Sequence, residues 1–312
     1  MSVPGKLLYS LWHLPIATVR HSWRHGGPLA QCAAARGESA MRVAAATLPP
    51  LPSRSGAPFK VHLLTGHRFV HQTAFCLHSL GRVCTVPIEV EIYDDGSLDD
   101  TAASILRRLS ASVLIHPHAE LAERIDRFLP AASFPVLRER WRNYPHIRKI
   151  IDVHLGREGW RLVLDSDLLF WREPHYLIDW SGMPDRSLHA IDCVENYGYT
   201  RTLLEKVAGV SIPPRVNVGL CGLRSDAIDW DFIEYAAASL IAAEGTSYYL
   251  EQALVAMIVA REGRSAAAPE IDYVTLPSPD EIAQPTAVMH HYVDVSRGLY
   301  YRHAWRQTLA SL

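Results

Sequence analysis

Between residues 59 and 167 short apolar runs alternate with longer stretches of helical composition, and that alternation narrows the possible folds more than anything else in the chain. Lys60-Val-His-Leu-Leu-Thr65-Gly66 has the composition of a strand ending in a small-residue turn. A helix is predicted over about 69–80. Ile88-Glu-Val-Glu-Ile-Tyr93 alternates with the period of a half-buried strand and runs into Asp94-Asp95-Gly96-Ser97. Further helices are expected over about 99–109, 119–129 and 136–155, with a short strand at 112–116. Strands and helices in this order make an α/β domain with a Rossmann-like sheet.

Arg161-Leu-Val-Leu-Asp165-Ser-Asp167-Leu-Leu-Phe-Trp171 closes the series. Its apolar start marks a buried strand, central in a parallel or mixed sheet. Side chains at i and i+2 of a strand share a face, so Asp165 and Asp167 point to one spot if the extended geometry persists. The carboxyl ends of strands are where open α/β sheets bind ligands. Two adjacent carboxylates repel unless a proton or a cation sits between them, and a hard divalent ion suits oxygen ligands. A plainer reading is a strand-ending turn, because Asp and Ser are turn formers. Asp229-Trp-Asp231 shows how little the spacing says alone: it precedes a helical stretch and matches an N-terminal cap. The strand in front of Asp165 is what separates the two pairs.

Beyond residue 171 the alternation loosens. Strands are expected at 189–194, 215–223, 273–276 and 287–292, with helices at 231–243 and 248–261. In Arg215-Val-Asn217-Val-Gly219-Leu-Cys-Gly222-Leu the small residues mark a place where a ligand or another backbone comes close. A formal charge of −2 gives no sign of a nucleic-acid partner. Five scattered cysteines without metal-type spacing point to reduced thiols and a cytoplasmic location. No apolar run has the length needed to cross a membrane. Residues 48–58, rich in Pro and Ser, form a linker, which divides the chain into an N-terminal helical extension (1–58) and a main domain (59–312). The stretch 6–23 mixes Leu, Trp and basic residues, and no acid precedes Glu38. It suits either a helix lying peripherally on the inner, anionic face of a membrane or a helix packed on the main domain.

Several local patterns then stand in a definite order: Asp94-Asp95-Gly-Ser, Arg148, Asp165-Ser-Asp167, Asn217-Val-Gly219-Leu220, Glu251-Gln252 and His290-His291-Tyr292. This set resembles the nucleotide-sugar-dependent glycosyltransferases of the GT-A fold, most of all the family of glycogenin and the lipopolysaccharide galactosyltransferases. The resemblance covers about residues 59–305 as an order of motifs. It implies a GT-A-type Rossmann-like mixed sheet flanked by helices, with the N-terminal extension outside it. It implies that Asp165 and Asp167 hold Mn²⁺ or Mg²⁺ against the donor diphosphate. His291 supplies a third ligand, in preference to its neighbour His290. Arg148 contacts donor sugar and phosphate, and Thr65, Asp94 and Asp95 meet the nucleotide at the ends of the first two strands. Asn217 and Gln252 stand beside the sugar, with Glu251 where the family has Asp. The implied partners are a nucleotide-sugar donor, a UDP-sugar first, and a glycan or lipid-linked acceptor, as in polysaccharide biosynthesis.

Two departures bear on mechanism. The family follows its His with Gly and Lys-Pro-Trp, whereas Arg297 stands in a different setting here as the candidate phosphate cation. The Asp94–Ser97 turn is closer to that of the large inverting family, so the stereochemical outcome stays open. Inversion needs a base, for which Glu251 is the leading residue; retention fits Gln252 or Asn217. Each residue also has a plain role: Asn217-Gly219 as a strand bulge, Glu251-Gln252 as acids and amides of a helix start. Other functional classes are a non-catalytic glycan-binding or scaffold protein of this fold, and a nucleotidyltransferase. The latter wants a Gly-rich basic loop after the first strand, where this chain has Leu64-Thr-Gly-His-Arg68.

Overall fold

The computed structural model describes residues 23–309. Helix α1 (Gly27–Ala45) leads through an extended stretch to β1 (Phe59–Thr65), α2 (Val70–Val83), β2 (Ile88–Asp94), α3 (Asp100–Leu109) and β3 (Val113–His116). Then come α4 (His118–Phe128), α5 (Pro135–Asn143), α6 (Arg148–His154) and β4 (Trp160–Leu164). The second half adds β5 (Leu168–Phe170), α7 (His175–Gly182), β6 (Ser187–Ile191), α8 (Arg201–Ala208) and β7 (Val216–Arg224). Helices α9 (Trp230–Glu244) and α10 (Leu250–Glu262), strands β8 (Ser265–Ala267) and β9 (Tyr273–Thr275), and β10 (Met289–His291) follow.

Seven strands form one mixed sheet in the order β3-β2-β1-β4-β7-β6-β8. β1, β2, β3 and β4 run parallel, as right-handed strand–helix–strand units require. β7 lies antiparallel between β4 and β6. One apolar core fills the face under α1, α2 and α3, with Leu63, Phe75, Leu77 and Leu164 at its centre. A second, built on Ile150, Ile151, Val216, Leu254 and Met257, lies against α5, α6 and α8–α10. Burying such side chains is the main favourable term in folding.

Three departures from the sequence pattern shape the site. The helical stretch 136–155 is two helices, because Pro145 lacks an N–H and forces Tyr144 out of helical geometry (φ −138°, ψ 89°). A short 3₁₀ turn at Pro145–Ile147 then lets α6 begin afresh at Arg148. The apolar residues after the Asp pair leave the large sheet: β5 joins a separate three-stranded sheet, β5-β10-β9, in which His291 pairs with Leu168. β8, only three residues long, carries no sequence signal. Asp229 does cap α9, accepting the N–H of Phe232.

Helix α1 shares the core of the sheet, Met41 and Ala45, with Leu48 just beyond the helix, lying in one apolar cluster with Phe59. It also lies on the C-terminal segment, where a Cβ at Gly37 would come 2.1 Å from the Tyr301 carbonyl oxygen. The sequence 6–23 falls, except for Trp23, outside the described residues. Among the described residues no helix is long and apolar enough to cross a membrane.

Polar groups inside the domain give it a pH signature. Burial pushes the imidazoles of His62 and His71 down to about 3 and that of His154 well below its ordinary value. These histidines fold neutral and take up protons on unfolding, so the unfolded chain binds more protons below its histidine pKa of 6.5. The contribution of these three histidines is therefore complete well above pH 6.5 and is lost as pH falls toward 3. Unfolding free energies from urea titration are expected to drop between pH 6.5 and 5, by up to about 1.4 kcal/mol per pH unit for each histidine. His62→Gln should flatten that slope; an unchanged slope would contradict the assignment.

Candidate active site

Asp165 follows β4 directly and its N–H donates to the Gly219 carbonyl of β7 (2.8 Å). The Asp167 carbonyl accepts the N–H of Tyr292 (3.1 Å), just past β10. Two sheets thus fix the two acids. Lys149 Nζ lies 2.7 Å from Asp165 Oδ1, and Arg297 Nη2 lies 2.7 Å from Asp167 Oδ2. The other oxygens turn toward His291, whose Nε2 is 3.8 Å from Asp165 Oδ2 and 3.3 Å from Asp167 Oδ1. One ligand atom from each of Asp165, Asp167 and His291 falls within 4.8 Å of the others, and this is the only such group among the described residues. Two carboxylates and an imidazole at this separation fit a single divalent ion, Mn²⁺ or Mg²⁺, with the nitrogen ligand favouring Mn²⁺.

Electrostatics agree with the geometry. Burial opposes ionisation of Asp167, but the His291 hydrogen bond and the His291 and Arg297 charges outweigh it, holding the acid well below the carboxylate range. Burial likewise works against charge on His291, and Asp167 and Asp165 overcome it, raising its pKa. Gly219 is required by this packing: a Cβ there would come 2.2 Å from the His291 ring. The close neighbours of the β7 glycines are thus side chains rather than another backbone, the His291 ring at Gly219 and the Trp180 ring at Gly222.

His290, offered by the sequence as an alternative ligand, sits on the opposite face of β10. Its Nδ1 is 3.2 Å from the Tyr292 hydroxyl and its ring stands edge-on to Trp171, fully buried in the core. Burial lowers its pKa to about 4. It takes no part in the Asp165–Asp167–His291 group.

Arg148 opens α6 and borders the cleft beside Asp95. Its guanidinium donates to the Asp95 carbonyl, meets His118 Nδ1 at 2.9 Å and lies 4.3 Å above the Trp141 ring. Its neighbour Lys149, about 100° further round the helix, is the cation that reaches Asp165. Lys149 also pairs with Glu251 Oε1 at 3.2 Å. Glu251 is 5% exposed, and burial, opposed by Lys149, pushes its pKa up to about 7. Gln252 and Asn217 meet through Asp192, which no sequence motif marks. Its Oδ2 accepts from Gln252 Nε2 (3.0 Å) and from Asn217 Nδ2 (3.1 Å). Asn217 Oδ1 in turn accepts the Gly219 N–H at 2.9 Å, beside the register shift between β6 and β7.

At the other end of the site, Asp94 builds the β2 turn: its Oδ1 accepts the N–H groups of Gly96 (2.8 Å) and Leu98 (3.0 Å). Asp95 lays its carboxylate over Gly66, where a Cβ would be 2.0 Å away. The buried Thr65 hydroxyl accepts from Thr73 (2.7 Å), whose hydroxyl also meets Ser166 at 2.8 Å, tying the end of β1 to the Asp165–Asp167 turn. A cleft of about 320 Å³ opens between Asp95, Gly96, His118, Trp141 and Arg148.

No family model matches the chain, and no curated protein matches it either. Solved structures do. Mouse xyloside xylosyltransferase 1 in its apo form superposes with a TM-score of 0.50 at 12% identity, over 76% of this chain and 98% of that one. The galactosyltransferase LgtC, in complex with donor and acceptor sugar analogs, gives 0.52 at 12% identity, over 81% and 96%. The bifunctional glycosyltransferase WbbM, apo, gives 0.50 at 11%, over 84% of this chain and 51% of that one. The chain therefore has the GT-A glycosyltransferase fold.

His291→Ala is expected to weaken Mn²⁺ binding, titrated by electron paramagnetic resonance, far more than His290→Ala, which should lower thermal stability instead. Gly219→Ala, by displacing the His291 ring, should weaken Mn²⁺ on the order of 10–100-fold. Equal Mn²⁺ affinities in all three would refute the site.

Proposed function

We propose that this protein is a divalent-metal-dependent hexosyltransferase, moving a sugar from a nucleotide-diphosphate sugar, a UDP-sugar first, to a hydroxyl of a glycan or lipid-linked acceptor. The observation that carries the proposal is the convergence of Asp165 Oδ2, Asp167 Oδ1 and His291 Nε2, with Lys149 and Arg297 on the outer oxygens. Asp165, Asp167 and His291 would hold Mn²⁺ or Mg²⁺, which would supply Lewis-acid stabilisation to the diphosphate.

In the transfer, the bond from the anomeric carbon to the diphosphate oxygen breaks and one to the acceptor oxygen forms. The acceptor's hydroxyl proton leaves for a carboxylate or for the departing diphosphate. The chain's own residues divide the work. Arg297, 48% exposed at its side chain, is the cation free to turn from Asp167 to the diphosphate and meet the charge that builds there. Lys149 holds Asp165 and Glu251 in fixed positions. Asp192, Asn217 and Gln252 present linked acceptors and donors suited to sugar hydroxyls. The cleft beside Asp95 and Arg148 is the place for the nucleoside. A scaffold protein has no need of this convergence of charge, which costs stability in a buried setting.

A panel of nucleotide sugars, screened for Mn²⁺-dependent release of nucleoside diphosphate, tests the proposal. At least one donor should be cleaved, with activity lost in chelator and reduced at least a hundredfold in Asp167→Asn. No cleavage of any donor, or full activity in chelator, would refute it.

A further inference from the structure

The loop between α9 and α10, residues 245–249, presents an exposed aromatic ring at the mouth of the site. Tyr248 is 65% exposed, although its loop is held to the rest of the molecule at Gly245, Ser247 and Tyr248. Tyr144 donates its hydroxyl to the Tyr248 carbonyl and accepts the Glu251 N–H at 3.3 Å. Tyr249 N–H donates to Ser247 Oγ (3.1 Å), and Tyr199 hydroxyl to the Gly245 carbonyl (3.2 Å). Gly198 abuts Ser247, leaving no room for a Cβ (1.9 Å). A large ring left to water on a loop tied down this firmly is pre-organised, and pre-organisation lowers the entropic cost of binding.

Its neighbours give the direction it faces. The His146 ring stands perpendicular to it (4.7 Å between centroids, 71°). His146 stands three residues before Lys149 and Tyr248 three before Glu251, and Lys149 and Glu251 meet at 3.2 Å, with Lys149 Nζ 2.7 Å from Asp165 Oδ1. The cleft beside Asp95, in contrast, is lined by His118, Trp141 and Arg148, and neither Tyr248 nor His146 borders it.

We propose that Tyr248, with His146 at its edge, is the acceptor platform: a pyranose ring of the acceptor lays its C–H face on the Tyr248 ring and turns a hydroxyl toward the Asp165–Asp167 centre. A pyranose has an apolar face ringed by hydroxyls, and it matches an aromatic face with polar groups at its edge, as tyrosine at interfaces combines an apolar body with a polar tip. The acceptor is accordingly a sugar, whether free or at the end of a longer glycan, rather than a peptide side chain or the lipid itself. This assignment rests on the transferase reading given above.

The test uses the full chain, Mn²⁺, a donor found by the nucleotide-sugar screen, and methyl glycosides of glucose, galactose, mannose and N-acetylglucosamine as acceptor probes, with product measured by mass spectrometry. Tyr248→Ala should raise the KM for the glycoside about tenfold, the size of one aromatic stacking contact, and move the donor KM less than twofold. Tyr248→Phe, which keeps the ring, should restore the glycoside KM to within threefold of the unmodified protein. A rise in donor KM instead would place the nucleotide on Tyr248 and overturn the platform. So would donor cleavage with no glycoside accepted, or equal losses in the Ala and Phe variants. Absence of donor cleavage altogether would overturn the transferase reading itself.

Discussion

The repulsion between Asp165 and Asp167 is the constraint that the rest of the site answers. Two acids one residue apart, each partly or wholly withdrawn from water, have to be offset by positive charge. Lys149 takes one outer oxygen, Arg297 the other, and His291 faces both inner ones. Those three partners come from α6, from the segment after β10 and from β10 itself. The topology follows from the need to bring them together. Asp165 stays with the large sheet while the chain turns away at β5, and β10 then pairs with β5 so that His291 stands opposite Leu168.

A second linkage runs at right angles to the first. Lys149 joins Asp165 to Glu251 at the start of α10, and Gln252, the next residue, joins Asp192 and thereby Asn217. The start of α10 thus reports to both β4 and the β6–β7 bulge. Displacing that one helical turn would disturb the Asp165–Asp167 pair and the Asn217–Gln252 amides together, and Tyr144, bonded to the Glu251 N–H, braces it from the end of α5.

The parallel half of the fold was legible because β1, β2 and β4 carry long, strongly patterned runs whose ends coincide with Thr65, Asp94 and Leu164. β5 and β8 were not: three residues are too few for periodicity, and the apolar stretch after Asp167 continues the pattern of β4 without any local sign that the strand changes sheets. The break at Pro145 was visible in principle, since a proline deep in a helical stretch ends it. That break sets the new start of α6, and with it the different partners of Arg148 and Lys149. Asp192 stood among turn-like residues and gave no signal, because its importance comes from two amides 25 and 60 positions away. His290 and His291 differ only in which side of β10 they occupy, a register that depends on pairing with β5.

The seating of the C-terminal segment between α1 and the sheet has a consequence for how the molecule comes into being. Gly37 lets the α1 backbone press against Tyr301, just beyond Arg297, and Met41 and Ala45 enter the core alongside Tyr300. During synthesis, a chain that has reached residue 288 already holds Asp165, Asp167 and Lys149 but lacks both His291 and Arg297. Order of emergence therefore makes completion of the Asp165–Asp167–His291 group a late event, coupled to the docking of distant parts of the chain. Such long-range closure is slow relative to local helix formation. The nascent protein passes through a stage in which its sheet can form while its centre of charge is still incomplete.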